Sequence, residues 1–98
     1  MKDIAPQLVA EVTLYTADQG GRQGPTPPDW FGCLCRLAEN DPRAWDCRLL
    51  LDGFPMAPGE TRRVGIVFLS PDEAVPAIVQ AKKFFLYEGR IIGQGRTT

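Results

Sequence analysis

The chain has 98 residues, of which 44% are hydrophobic and 23% are charged, and its formal net charge is −1. This length predicts one domain, 1–98, and the composition is typical of a globular protein and not of a disordered one. Eleven basic residues against twelve acidic ones leave no positive excess for displacing counterions from nucleic acid, so we expect no DNA partner.

Alternating apolar and polar side chains, the pattern of a strand with one buried face, recur six times along the chain. The six segments are 7–16, 30–38, 44–51, 63–68, 84–87 and 90–96. Glycine- and proline-containing turns separate them, and a longer loop covers 17–29. Six strands at this spacing predict an all-β domain, either a small barrel or a sandwich.

The segment 71–80 is the only stretch whose pattern is ambiguous. Pro71, Asp72 and Glu73 are typical of the first turn of a helix, because proline and acidic residues favour that position. Pro76 is expected to stop the helix early, since it lacks the N–H that a helix interior needs. We therefore expect a short helical turn here, or a loop that leads into the next strand.

Side chains for the common enzyme chemistries are missing from the sequence. There is no histidine, which excludes Ser-His-Asp and Cys-His relays, and the one serine, Ser70, stands before Pro71 with no candidate base near it in sequence. There is also no Gly-x-x-x-x-Gly-Lys-Ser/Thr phosphate loop, so we expect no nucleotide partner. The sequence favours a protein that is not an enzyme and has no cofactor.

The three cysteines allow several interpretations. Cys33 and Cys35 share one face of a strand, and Cys47 should face inward from a neighbouring strand. A tetrahedral zinc site needs four ligands, and Asp46 should point away from Cys47, so we expect no metal site. Small buried core residues are the leading interpretation, with a redox pair as the alternative.

We expect a cytoplasmic protein without a membrane partner. No apolar run approaches the roughly 20 residues of a membrane span. Residues 1–6 lack the apolar region of a signal peptide and are expected to form a flexible N-terminus. An odd number of cysteines is also awkward for the disulfide framework of a secreted domain.

Three short segments, 20–25, 56–60 and 85–95, occur in order along the chain. They read GGRQGP, MAPGE and FLYEGRIIGQG. Together, across residues 9–96, they resemble the C-terminal β-barrel domain (domain 3) of translation elongation factor Tu, which has GGRHTP, MxPGD and FAIREGGRTVGAG there. The resemblance implies a six-stranded antiparallel β-barrel.

In that family the domain is not catalytic, packs against the other two domains and helps to hold the T-arm of aminoacyl-tRNA. The resemblance implies binding roles for the matching positions, which are Gly20, Gly21, Arg22, Gly89, Arg90, Gly93 and Gly95. Gln23 stands where the family has histidine. The residue types also have simpler explanations: positive-φ loop geometry for Gly20 and Gly21, and ion pairs within the domain for Arg22 and Arg90. Gly93 and Gly95, inside a strand, indicate a bulge or the close approach of another backbone.

We expect a stand-alone binding module that docks a protein partner through one face of the barrel. The loop 17–30 would carry much of the contact, because rigid barrels present function on loops. Trp30 is either a partly buried loop anchor or an aromatic contact for the partner. One alternative is binding of tRNA or another structured RNA through Arg22, Arg90, Arg96 and the terminal glycines. A second alternative is a small thiol-dependent enzyme with a reactive cysteine.

Overall fold

The computed structural model describes residues 5–98, which form six strands, one α-helix and one short 3-10 helix. In chain order they are β1 (Leu8–Leu14), the 3-10 helix (Ala17–Gln19), β2 (Trp30–Arg36), β3 (Trp45–Leu50), β4 (Thr61–Phe68), α1 (Pro71–Ala81), β5 (Lys83–Tyr87) and β6 (Ile91–Thr97). Each of the six predicted strands is present. Most of the predicted N-terminal segment 1–6 lies outside the described residues, and Pro6 is close to Gly65 of β4.

The strands close into a barrel in the order β1-β4-β3-β2-β5-β6, and all six neighbouring pairs are antiparallel. The all-β, six-stranded antiparallel barrel expected from the sequence is therefore confirmed. Closure gives every strand two partners, which removes the exposed sheet edges that favour aggregation. The pairing of β2 with β5 is short and runs only from Leu34 to Arg36 of β2.

One core fills the barrel, and the alternation of side chains decides which residues enter it. In β3, Trp45, Cys47 and Leu49 are buried. Asp46 and Arg48 between them are exposed. Asp46 therefore faces away from Cys47, as the period of two predicts.

The helix α1 is longer than the sequence suggested. It begins at Pro71, passes through Pro76 and ends at Ala81, so the prediction that Pro76 stops it was wrong. Ala74 and Ile78, one turn apart, are fully buried and anchor the helix on the barrel, while Pro76 is exposed. This packing outweighs the hydrogen bond lost at the proline. Among residues 5–98, no helix has the length and apolarity needed to cross a membrane.

The two glycines of β6 allow close packing inside the barrel. A Cβ atom at Gly93 would lie 2.6 Å from the backbone oxygen of Thr13 on β1. A Cβ atom at Gly95 would overlap the ring of Phe84 on β5. The close backbone approach expected from these glycines is present at Gly93, and the β5–β6 pairing also has a register shift between Leu86 and Tyr87.

Candidate binding groove

The loop 20–25 and the turn 88–90 meet at one end of the barrel. Arg22 joins them, because its Nη1 lies 2.8 Å from Oε1 of Glu88 while its guanidinium carbon lies 4.8 Å from the ring centroid of Phe31. Arg90 makes a second link by donating a hydrogen bond of 3.2 Å to the backbone oxygen of Gly21. The structure thus brings together the predicted residues of the loop and of the turn.

The glycines in this cluster are required by the backbone. Gly20 and Gly89 have φ angles of 95° and 74°, a region that side chains with a Cβ disfavour. Gly21 does not have the positive φ expected for it; it is buried, and a Cβ there would collide with the backbone carbonyl of Tyr15. These observations account for Gly20, Gly21 and Gly89 as structural residues, whether or not they also contact a partner.

A groove of about 740 Å³ opens next to this cluster, where the β2–β5 pairing has ended. It is lined by Trp30, Gly32, Cys33, Leu34, Asp46, Cys47, Arg48, Val67, Phe68, Leu69, Tyr87, Glu88 and Gly89. Two of the residues predicted to bind, Trp30 and Gly89, lie in this lining. A third, Arg22, holds the Glu88 side chain at its edge.

Trp30 presents the largest aromatic surface of the groove. Its side chain is 37% exposed, and a Cβ at Gly32 would lie 3.3 Å from its ring, so the indole packs against that glycine. The guanidinium carbon of Arg48 lies 4.5 Å from the indole centroid, within range of a cation–π interaction. Leu69, which directly follows β4, is 77% exposed. An aromatic ring, a cation and an apolar side chain are therefore available together on one surface.

The charges of the groove are only partly neutralised within the domain. Glu88 is paired with Arg22. Among residues 5–98, Arg48 forms no ion pair, and neither does Asp46. Arg48 is thus the cation of this surface that is available to a ligand.

Two of the three cysteines lie in the groove wall. Cys33 and Cys47 have sulfur atoms 3.7 Å apart, and Cys35 is fully buried outside the lining. The hydrogen bond with Cys47, together with burial, raises the pKa of the Cys33 thiol well above its usual range, and burial raises the pKa of Cys35. The prediction that the three cysteines are buried is confirmed. Among the described residues, no group of three or more potential ligands could hold a metal ion.

The remaining predicted residues lie elsewhere. Gly95 and Arg96 line a smaller cleft of about 350 Å³ together with Glu11 and Lys83. Arg96 is ion-paired there with Glu11 at 2.8 Å. Gly93 is buried on β6, where it packs against Thr13 and Leu14 of β1. The structure therefore does not bring Gly93, Gly95 or Arg96 to the groove.

Arg48 and Leu69 were missed by the sequence analysis. Alternation places Arg48 on the outer face of β3, but nothing in the sequence pairs it with Trp30, because that contact depends on the β2–β3 register. Leu69 follows the last alternating residue of β4, and its exposure depends on how the chain leaves the barrel. Arg48 lies opposite Gly32 on β2, which leaves room for the Trp30 ring between them, and this arrangement can be recognised only once the strand register is known.

No protein-family model matches the chain, and neither does any curated protein. The six-stranded barrel that the resemblance to elongation factor Tu implies is present, while the resemblance itself stays a prediction. The side chains of the groove are therefore the basis for proposing a function.

Proposed function

We propose that the chain is a non-catalytic binding module that docks a protein partner in the groove beside Trp30. The observation that carries this proposal is the exposed indole held against Gly32 and beneath the Arg48 guanidinium. Tryptophan and arginine are enriched among the few residues that supply most of the binding energy at interfaces. Because both side chains already contact each other, ordering them on binding costs little conformational entropy.

The chemistry of the groove defines the partner segment. Leu34, Val67 and Leu69 provide apolar surface. Arg48 provides a positive charge without an ion-pair partner among residues 5–98. We propose that the partner inserts an apolar side chain between these residues and places a carboxylate against Arg48. Asp46, two residues away on the same face of β3, would repel a second carboxylate and so fix the orientation of the segment.

The loop 17–30 contributes Trp30 alone to the groove lining, and its Arg22 forms a border of the groove at Glu88. Arg22 binds Glu88 and also donates hydrogen bonds to the backbone oxygens of Gly24 and Pro25, so the loop is fixed from within as well as to the turn. A border that is ordered before binding loses less entropy when the partner arrives.

The finer parts of the proposal are a domain 3-like barrel subtype and a cytoplasmic location. The subtype is supported by the GGR loop, whose Arg22 meets the EGR turn at Glu88. The location is supported by the odd number of cysteines, which is awkward for the disulfide framework of a secreted domain.

Structured RNA is the alternative partner. The arginines of this domain that would bind it already form contacts within the domain. Arg22 and Arg96 are ion-paired with Glu88 and Glu11, and Arg90 donates to a backbone oxygen. Each would have to give up a contact before it could neutralise a phosphate. RNA binding would instead be recognised by an affinity that falls steeply with salt.

The test is capture with the full chain from a lysate of its own source, with bound protein and RNA both identified. The partner is then purified and titrated against four variants. Trp30→Ala should weaken binding about 30-fold and Arg48→Ala about tenfold, the losses typical of interface hot spots. Phe54→Ala and Arg63→Ala, which remove an exposed aromatic residue and an exposed arginine outside the groove, should bind within about twofold of the wild type.

Equal binding by the groove variants and the two controls would refute the groove as the docking site. Recovery of tRNA alone, with steeply salt-dependent affinity, would replace the protein partner with RNA. Urea denaturation serves as the folding control, because Trp30 and Arg48 lie on the outer face of the barrel and both variants should keep a single cooperative unfolding transition.

A further inference from the structure

Cys33 and Cys47 form a close pair between two strands. They are directly opposite each other in the β2–β3 register, and both side chains point into the barrel. Their sulfur atoms are 3.7 Å apart and share a weak hydrogen bond. The two thiols are therefore already in contact, without any intervening side chain.

The pair lies directly beneath the groove. Cys33 is 9% exposed and Cys47 is 4% exposed, and both belong to the groove lining. Cys35 lies two residues further along β2, is 0% exposed and is not part of the lining. The same strand thus carries one buried cysteine that borders the groove and one that does not.

We infer that Cys33 and Cys47 are a thiol–disulfide site that reacts with a low-molecular-weight disulfide, such as oxidised glutathione, entering through the groove. The inference does not rest on partner docking, because it is argued from the positions of the two sulfurs and from the groove lining alone. It assigns to this pair a chemistry that Cys35 cannot share.

The reaction proceeds by two thiol–disulfide exchanges. Cys33 loses its proton to solvent, which its raised pKa makes slow at neutral pH and faster as the pH rises. Its sulfur attacks one sulfur of the reagent, so that a mixed disulfide forms and one reagent thiol leaves. Cys47 then loses its proton and attacks the Cys33 sulfur, which forms the internal disulfide and releases the second reagent thiol. The protein is oxidised by two electrons, and the reagent disulfide is reduced to two thiols.

The strand geometry permits this bond and also keeps it reducible. Directly opposed residues on antiparallel strands have Cα atoms about 4.5–5.5 Å apart, inside the range found for disulfides. Their Cβ atoms, about 4.5–5.5 Å apart, must move closer to reach the disulfide mean of about 3.8 Å. A bond that draws two strands of a closed barrel together stores strain, and strained disulfides are the ones that are readily reduced again.

The test uses the full chain incubated with oxidised glutathione under native conditions. Intact mass should fall by the mass of two hydrogen atoms, and unreduced peptide mapping should link Cys33 to Cys47. Cys35→Ala should form the same bond at a rate within about twofold of the wild type, since Cys35 takes no part in the exchange. Cys47→Ala should stop at the glutathione adduct on Cys33.

The peptide map of the wild type tests the Cys33–Cys47 bond even if a cysteine variant fails to fold. A link that involves Cys35, or an internal bond that forms only in denaturant, would overturn the inference. So would a folded wild type that keeps three free thiols after prolonged exposure. Reduced glutathione added in excess should restore the three thiols, and a bond that resists it would contradict the proposed reversibility.

Discussion

Replacing Gly95 with alanine should destabilise the barrel strongly, although the change adds a single methyl group. Gly95 on β6 is directly opposite Phe84 on β5, and both are buried. The new Cβ would overlap three atoms of the Phe84 ring at once. The ring cannot move aside easily, because Phe84 is fully buried in the close-packed core.

The expected loss is at the upper end of the range for overpacked cores, about 3 kcal/mol. For a domain of this size, this corresponds to a melting temperature lower by about 12–24 °C. Gly24→Ala is the matched control, because no atom lies within 4 Å of a Cβ at that position and its φ is not positive. It should change stability by about 0.5 kcal/mol or less.

Urea denaturation followed by circular dichroism measures both variants. A Phe84→Leu replacement removes the ring atoms that the methyl group meets, so the double variant should be more stable than the two single losses predict. The coupling should be at least about 1 kcal/mol. A loss below about 0.5 kcal/mol for Gly95→Ala, or strict additivity in the double variant, would refute this account of Gly95.

Two further predictions concern polar contacts. Thr26, which is 4% exposed, accepts a hydrogen bond from the Met56 N–H, so Thr26→Val should lose about 1–3 kcal/mol in urea denaturation, while exposed Thr61→Val stays within about 0.5 kcal/mol; equal effects would contradict this. A hydrogen bond from the Ala57 N–H lowers the pKa of Glu60 below its usual 4.5. The stabilisation that ionised Glu60 contributes to the folded state is therefore complete above pH 4.5, and it is lost as the pH falls through the folded-state pKa of Glu60. In the Glu60→Gln variant, the free energy of unfolding should fall less steeply with decreasing pH than in the wild type. Identical curves of unfolding free energy against pH for the two proteins would contradict this role of Glu60.

The strands could be predicted from the sequence because side-chain alternation is a local property. Cys47 and Leu49 are buried while Asp46 and Arg48 are exposed, as a period of two requires. The helix was harder to predict, because its length depends on packing. Local preference places a stop at Pro76, and only the burial of residues on either side of it explains why the helix continues.

The candidate site could be predicted in part. Trp30 and Gly89 belong to the groove, and Arg22 supports it through Glu88. Arg48 was missed, because its contact with Trp30 depends on strand register. The contact between the two thiols, Cys33 and Cys47, needed the same information.

The sequence by itself determined that this is an all-β domain of six strands with a buried face on each, and that histidine-based catalysis is excluded. Both conclusions depend on residue identity and on a period of two, which need no knowledge of distant contacts. The tertiary structure decided the strand order, the short β2–β5 pairing and the groove that opens beside it. These depend on which strands pair and in which register, and residues far apart in the chain set that outcome together.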